Sequence, residues 1–280
     1  MEKYAVIGYP LGHTMSPFIH NRMFELNGIN ATYEAILTPP EKLKDTVEML
    51  KKSYNGFNIT IPHKEALLSL IDEPTKTAEI YKAVNTVANK NGRLFGYSTD
   101  AEGFVAALEL EDIPLKGKVL ILGGGGVSRT IATECALRGC DVTFAVLPSE
   151  IDRAKLLCGD LKERFMKEAI CITLEDIKGE YDLAVNGTPV GMYPNTNDSI
   201  LNENQLKNIK YVFDAVYNPE NTKFIGIARS LGIKAVSGMG MLVMQAAKAQ
   251  EYWYGATFNK QDMKQLIKDA GDEMRRLFIE

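Results

Sequence analysis

Short apolar runs alternate along this chain with longer stretches in which apolar positions return every third or fourth residue. The first pattern predicts strands buried on both faces, and the second predicts helices with one apolar face. Near the start, YAVIGY (4–9), ATYEAIL (31–37) and FNITI (57–61) read as strands. Between them, Ser16 reads as a helix N-cap followed by Pro17 at the first helical position, with Gly28 ending that helix. PEKLKDTVEMLKKS (40–53) reads as a second helix, and PHKEALLSLI (62–71) as a third that opens on Pro62. NTVANKNGRLFGYST (85–99) predicts a hairpin turning at Asn91–Gly92. Asp100 is expected to cap the helix AEGFVAALEL that follows.

From Lys116 the pattern becomes more regular. KGKVLILGGGGVSRTIATECALRG reads as strand, glycine turn and helix. The strands DVTFAVL, AICIT, DLAVNGT, YVFDAVY and IKAVS follow, most of them separated by helices such as SEIDRAKLLCGDLKERF and TKFIGIARSLG. Such βαβ alternation implies a parallel sheet covered on both faces. Two long helical patterns, GMLVMQAAKAQEYWYG and NKQDMKQLIKDAGDEMRRLF, close the chain. The expected class is α/β: an N-terminal α/β substrate domain plus a Rossmann, doubly wound dinucleotide-binding domain. The expected boundaries are 1–101 with 238–280 for the first and 102–237 for the second. No internal repeat or low-complexity segment interrupts this order.

The glycine turn is the first chemical signal. In VLILGGGGVSR (119–129), Gly123 and Gly125 fit the first two glycines of G-x-G-x-x-G, and Ser128 stands at the third. A buried strand precedes the turn and a helix follows it, as a dinucleotide site requires. The next strand ordinarily ends in an acid that binds the ribose of NAD, or has an arginine nearby for the extra phosphate of NADP. Here Val146 and Leu147 hold that place, and Ser149, Glu150, Asp152 and Arg153 come slightly later, so cofactor preference stays open. Arg153 also reads as a plain helix-surface residue.

Composition narrows the class. With 280 residues, two domains are the first expectation. A net charge of -4 and dispersed basic residues argue against a general nucleic-acid binder. Cys135, Cys140, Cys158 and Cys171 form no CxxC pair, and His13, His20 and His63 no metal spacing, so no metal is expected. No apolar run reaches the ~20 residues of a membrane span, and the first residues enter a strand directly. A cytoplasmic protein with reduced thiols is the expectation.

Lys64 stands out because it follows Pro62 in what reads as the first turn of a helix, where the dipole disfavours a cation. That field eases a proton off an amine, and a positioned amine can exchange a proton with an alkoxide. Asp100, ending the hairpin, is a candidate partner on chemical grounds. Read alone, the two are equally a solvated surface charge and a helix cap.

GYPLGHTMSPFIHN, FNITIPHK, AVNT, STD, GGGGVSR, NGTPVGM and GMGMLVMQA occur in this order and together resemble the shikimate dehydrogenase family. The family interconverts 3-dehydroshikimate and shikimate with NADP(H), and some relatives oxidise quinate with NAD. The resemblance implies Lys64 and Asp100 as the catalytic pair. It implies Thr14 and Ser16 as the hydroxyls that hold the substrate carboxylate, and Thr60, Asn85, Tyr217 and Gln245, with Asp100, as further substrate contacts. It implies Gly123, Gly124, Gly125, Gly126 and Val127 as the phosphate loop, with Val216 and Gly238 lining the nicotinamide. Two departures are visible. The family's Asn-Arg-Thr after the second Rossmann strand is replaced by AVLPSEID, and its Asn-Thr-Asp-Gly reads Ser98-Thr99-Asp100-Ala101. The expected activity is NADP-dependent shikimate dehydrogenase in aromatic amino acid biosynthesis, as a monomer or homodimer acting on a small molecule, without nucleic acid or membrane. The rival readings are an NAD-dependent quinate/shikimate or aminoshikimate dehydrogenase, and a non-catalytic ligand-sensing homologue.

Overall fold

The computed structural model describes residues 1–12 and 14–278. His13, counted among the histidines above, and the last two residues of the expected C-terminal segment lie outside the described residues. The chain folds into two compact units: Met1–Gly103 together with the chain from Val243 onward, and Phe104–Leu242.

In the first unit the elements are β1 (Glu2–Gly8), α1 (Ser16–Leu26), β2 (Ala31–Leu37), α2 (Leu43–Ser53), β3 (Gly56–Ile59), β4 (Glu73–Pro74), α3 (Lys76–Tyr81), β5 (Thr86–Lys90) and β6 (Arg93–Tyr97). The strands form one sheet in the order β2-β1-β3-β5-β6-β4. β1 is parallel to both β2 and β3, whereas β3–β5 and β5–β6 are antiparallel. β4 is parallel to β6, so β5 alone runs against the other strands, and the parallel sheet expected from alternation is broken only there. The hairpin imposes the reversal: Asn91 and Gly92 both adopt positive φ, 54° and 79°, the signature of the turn whose twist suits antiparallel strands. The alternation of β1 explains its burial on both faces. Ala5 and Ile7 join Val47, Leu50, Phe57 and Leu67 on one side, while Tyr4 and Val6 join Phe24 and Tyr33 on the other.

α4 (Asp100–Leu110) begins in this unit and ends in the second. The second unit then runs β7 (Lys118–Leu122), α5 (Gly126–Leu137), β8 (Asp141–Val146), α6 (Ile151–Phe165), β9 (Ala169–Thr173), β10 (Tyr181–Asn186), α7 (Glu203–Leu206), β11 (Ile209–Asp214), α8 (Lys223–Ser230) and β12 (Lys234–Val236). Its sheet is parallel throughout, ordered β12-β11-β10-β7-β8-β9. Counted from β7 this is the doubly wound order 3-2-1-4-5-6, with its topological switch between β7 and β10. α9 (Gly238–Tyr254) carries the chain back, and α10 (Lys260–Phe278) closes it. Among the described residues, no helix is long and apolar enough to cross a membrane.

Three local expectations change. α1 starts at Ser16 itself, with Met15 at the N-cap and no side-chain cap, so the Ser16 hydroxyl is not occupied in capping. α4 starts at Asp100, so this residue opens the helix instead of preceding it. Most consequentially, 62–71 is not an α-helix: only Ala66–Ser69 forms a short 3-10 turn. Bonds to distant segments hold the stretch instead. His63 Nε2 donates to the Thr38 carbonyl at 2.6 Å, and the Lys64 carbonyl accepts from the Val84 amide at 2.8 Å.

Candidate functional site

The first unit gathers polar side chains where the C-terminal end of β3 meets the start of α4. β3 ends at Ile59, and Thr60 continues it by donating its amide to the Ile7 carbonyl at 2.9 Å. Gly8 permits this approach, because a Cβ there would stand 2.4 Å from Thr60 Cγ2. Lys64 follows, and its Nζ lies 2.6 Å from Asp100 Oδ2, both side chains being partly exposed. With no long helix behind Lys64, the dipole argument lapses; the short charge-assisted bond to Asp100 sets the amine's position. Asp100 Oδ1 accepts from Asn85 Nδ2 at 2.9 Å, so both carboxylate oxygens are engaged and the group cannot turn freely. Asn85 is buried, and its Oδ1 accepts from the Thr99 amide at 2.8 Å. Gln245 Oε1 accepts from Thr99 Oγ1 at 3.3 Å. Gly103 makes this possible: a Cβ on it would come within 2.7 Å of the Gln245 backbone nitrogen, so only glycine lets α4 and α9 pass this closely here.

Thr14 Oγ1 donates to Ser16 Oγ at 3.2 Å and accepts from the Ser16 amide at 3.3 Å. The two hydroxyls are thus adjacent, spaced as a pair of donors for one carboxylate. Further polar residues absent from the expected set join this cluster. Asn58 donates to the Asn85 carbonyl and to Thr86 Oγ1, and accepts from the Tyr33 hydroxyl at 2.6 Å. Asn58 interrupts the apolar strand β3, the sequence signal that would have found it, whereas Thr86 opens β5, which also carries Asn89 and Lys90 and so gave no such signal. His20, buried on α1, stacks on Tyr33 with ring centroids 4.2 Å apart. Burial pushes its imidazole down to about 3.

The second unit holds the glycine turn. Gly123 closes β7 with φ of 96°, a conformation that favours glycine, and a Cβ on it would stand 2.5 Å from Thr188 Cγ2. Gly126 faces open space, so the outer side of the loop is free for a ligand. α5 starts at Gly126 and directs its first N–H groups, including that of Val127, toward the turn. This geometry fits a dinucleotide pyrophosphate. Arg153, which the sequence left open between a cofactor contact and a helix-surface residue, extends beside the loop: its Cδ is 4.0 Å from where a Cβ on Gly124 would stand. Val216 follows β11 and is buried; its carbonyl accepts from the Gly238 amide at 3.1 Å. Tyr217 also belongs to this unit and is exposed. Asp214, wholly buried at the end of β11, was missed by sequence reasoning, although an acid closing an apolar strand was a visible signal. Burial pushes its carboxyl up to about 6, against the pull of bonds from Thr222, Val216 and Asn186.

Among the described residues, no group of three or more His, Cys, Asp or Glu is placed to hold a metal ion. His20 and His63 are both buried in the first unit and hydrogen-bond to Gln250 and Thr38 respectively.

The family model for the shikimate dehydrogenase substrate binding domain matches residues 6–87. A shikimate dehydrogenase (NADP(+)) of Caldanaerobacter subterraneus subsp. tengcongensis is 36% identical over 269 residues, covering 95% of this chain and 96% of its own. This chain belongs to the shikimate dehydrogenase family. A second relative of the same name, from Geobacillus sp. strain WCH70, is 39% identical over 95% of this chain and 98% of its own. Among solved structures, the shikimate 5-dehydrogenase of Thermus thermophilus in complex with NADP(H) and shikimate aligns at a TM-score of 0.86 with 35% identity. That alignment covers 96% of this chain and all of the other. The fold of two α/β units, the second Rossmann-like, is that of the family.

Proposed function

We propose that this chain is an NADP-dependent shikimate dehydrogenase that interconverts 3-dehydroshikimate and shikimate, in aromatic amino acid biosynthesis in the cytoplasm. Its family membership supports the activity class, and the 2.6 Å Lys64–Asp100 contact, braced by Asn85, carries the assignment of roles. The unit built on β1–β6 is the substrate domain, and the parallel unit is the dinucleotide domain. Four unbridged thiols suit a reducing compartment.

Thr14 and Ser16 bind the substrate carboxylate through their paired hydroxyls. Thr60, Asn85, Gln245 and Tyr217 supply hydrogen bonds for a ring carrying several hydroxyls, each an amide or hydroxyl able both to donate and to accept. In the reducing direction the Lys64 ammonium delivers a proton to the oxygen that the ring carbonyl becomes, and in the oxidising direction the amine takes it back. Asp100 orients that amine and accepts from a ring hydroxyl. Gly123–Val127 hold the pyrophosphate of NADP, with Val216 and Gly238 against its nicotinamide and Arg153 placed for its 2′-phosphate. NADP(H), when bound, supplies or accepts the hydride.

Lys64→Ala tests the reading. Turnover of 3-dehydroshikimate with NADPH, followed by nicotinamide absorbance, is expected to fall at least ~100-fold, the scale of acid–base contributions. Near-normal turnover overturns the role. A second reading, an NAD-dependent quinate or aminoshikimate dehydrogenase, draws on Val146 and Leu147, which offer neither acid nor arginine at the end of β8. Rates with NADPH and NADH at fixed 3-dehydroshikimate, and with quinate in reverse, separate the two.

A further inference from the structure

Asp214 has no part in the chemistry just described, yet it is a wholly buried carboxylate at the end of β11 that accepts three hydrogen bonds. Its Oδ1 accepts from Asn186 Nδ2 at 2.9 Å and from the Val216 amide at 3.0 Å, and its Oδ2 accepts from Thr222 Oγ1 at 2.6 Å. It is 0% exposed. Closing the sheet does not need these bonds, since β10 and β11 pair through their backbones. A buried carboxylate is costly to desolvate, and an apolar residue would pack there without that cost. What the carboxylate provides is geometry, in two directions.

Toward the glycine turn, Asn186 presents its own Oδ1 to the Thr188 amide at 3.0 Å and to Thr188 Oγ1 at 2.6 Å. Thr188 then sets its methyl where a Cβ on Gly123 would stand 2.5 Å from it, which bars any side chain there. Toward the other end, Val216 held by its amide offers its carbonyl to Gly238, whose missing Cβ lets it lie against Ala215. A single carboxylate thus stands behind both sets of residues assigned to the dinucleotide.

We propose that Asp214 is a positioning residue for NADP(H): through Asn186 and Thr188 it sets the floor under the Gly123 turn, and through Val216 it sets the backbone at Gly238. This rests on the parallel unit being the dinucleotide domain. Asp214→Leu keeps much of the volume but removes all three acceptor contacts, leaving the Asn186, Val216 and Thr222 donors unmatched.

The test measures NADPH affinity by nicotinamide fluorescence, and KM for NADPH and for 3-dehydroshikimate, in the full-length enzyme. Asp214→Leu is expected to weaken NADPH binding and raise its KM about tenfold, with KM for 3-dehydroshikimate moving less than about twofold. Thr222→Val removes the Oδ2 bond and the cap that Thr222 Oγ1 gives the Ile225 amide at the start of α8. It is expected to lower the unfolding midpoint and leave the NADPH KM unchanged, which separates positioning from general support. Thr188→Val keeps the methyl against Gly123 and loses the hydroxyl. It is expected to raise the NADPH KM in the same direction, and in combination with Asp214→Leu to add less than its separate effect. Should Asp214→Leu fail to fold, Thr188→Val and Thr222→Val decide the matter between them. An unchanged NADPH KM in folded Asp214→Leu, an equal rise in both KM values, or an unchanged NADPH KM in Thr188→Val overturns the proposal. If the unmodified enzyme binds no NADPH at all, the domain assignment itself fails, a separate result.

Discussion

Lys64 and Asp100 each leave little freedom to the other. One carboxylate oxygen takes the amine and the other takes the Asn85 amide, so Asn85→Ala frees the carboxylate to rotate. Arg153 invites a cleaner experiment. Its stem runs beside Gly124, and a guanidinium there matches a phosphate better than any neighbour after β8. Arg153→Gln is expected to raise KM for NADPH about tenfold or more while leaving KM for NADH nearly unchanged; steady-state rates with each cofactor check this. His20 yields a stability prediction. Its folded value near 3 lies below the ordinary 6.5, so the unfolded chain binds the proton first as pH falls. Stability from this residue is complete above about 6.5 and is lost progressively toward 3, on the order of 5 kcal/mol in all. Asp214 runs the opposite way: its raised value makes the fold less stable as pH climbs from about 4 to about 6. Urea unfolding between pH 7 and pH 4 is expected to show a shallower acid loss in His20→Gln than in the parent. At this scale much of the polar network could be read in the chain. Lys64, Asp100, Asn85 and Gln245 come together in one hydrogen-bonded set, as do Thr14 and Ser16. Asn58, Thr86 and Asp214 escaped because a polar residue's place in a strand shows in the chain while the partner that it faces does not.

Helices and strands were legible wherever local pattern and tertiary environment agree. The glycine turn lies between β7 and α5, and the Asn91–Gly92 hairpin joins β5 to β6. The stretch 62–71 was misread for an instructive reason. Its leucines have helical spacing, but Leu67 buries into the first unit's core from a short turn, and bonds to Thr38 and Val84 hold the backbone from outside. Long-range hydrogen bonds won over local propensity. β4 and α3 were missed because two and six residues are too few for a period to register. The crossing of α4 and α9 at Gly103 makes an element-scale prediction. Gly103→Ala places a methyl 2.7 Å from Gln245 backbone, so the helices must move apart. Overpacking of this kind costs about 1–3 kcal/mol, and turnover should fall with it as Gln245 leaves Thr99. A normal unfolding midpoint with normal turnover would show that the helices tolerate the methyl.

At the scale of the whole molecule, each unit carries its own polar site on its own sheet, so ligands should protect different stretches of chain. Hydrogen exchange with NADP is expected to slow amides around 123–129 and 186–190, and exchange with shikimate those around 14–16, 60–64 and 99–101. NADPH at about a hundred times its dissociation constant should add ~2.7 kcal/mol to stability, read as a rise in the unfolding midpoint. Protection by NADP confined to the unit built on β1–β6 would reverse the assignment of the units. Finally, the sheet of the first unit ends in β4, a strand of two residues that closes on Pro74. Proline has no amide proton to offer, and two residues present almost no ladder for a neighbouring molecule to extend. That margin of the protein thereby offers little to edge-to-edge aggregation, a safeguard at high concentration to which the exposed Glu73–Arg93 ion pair adds.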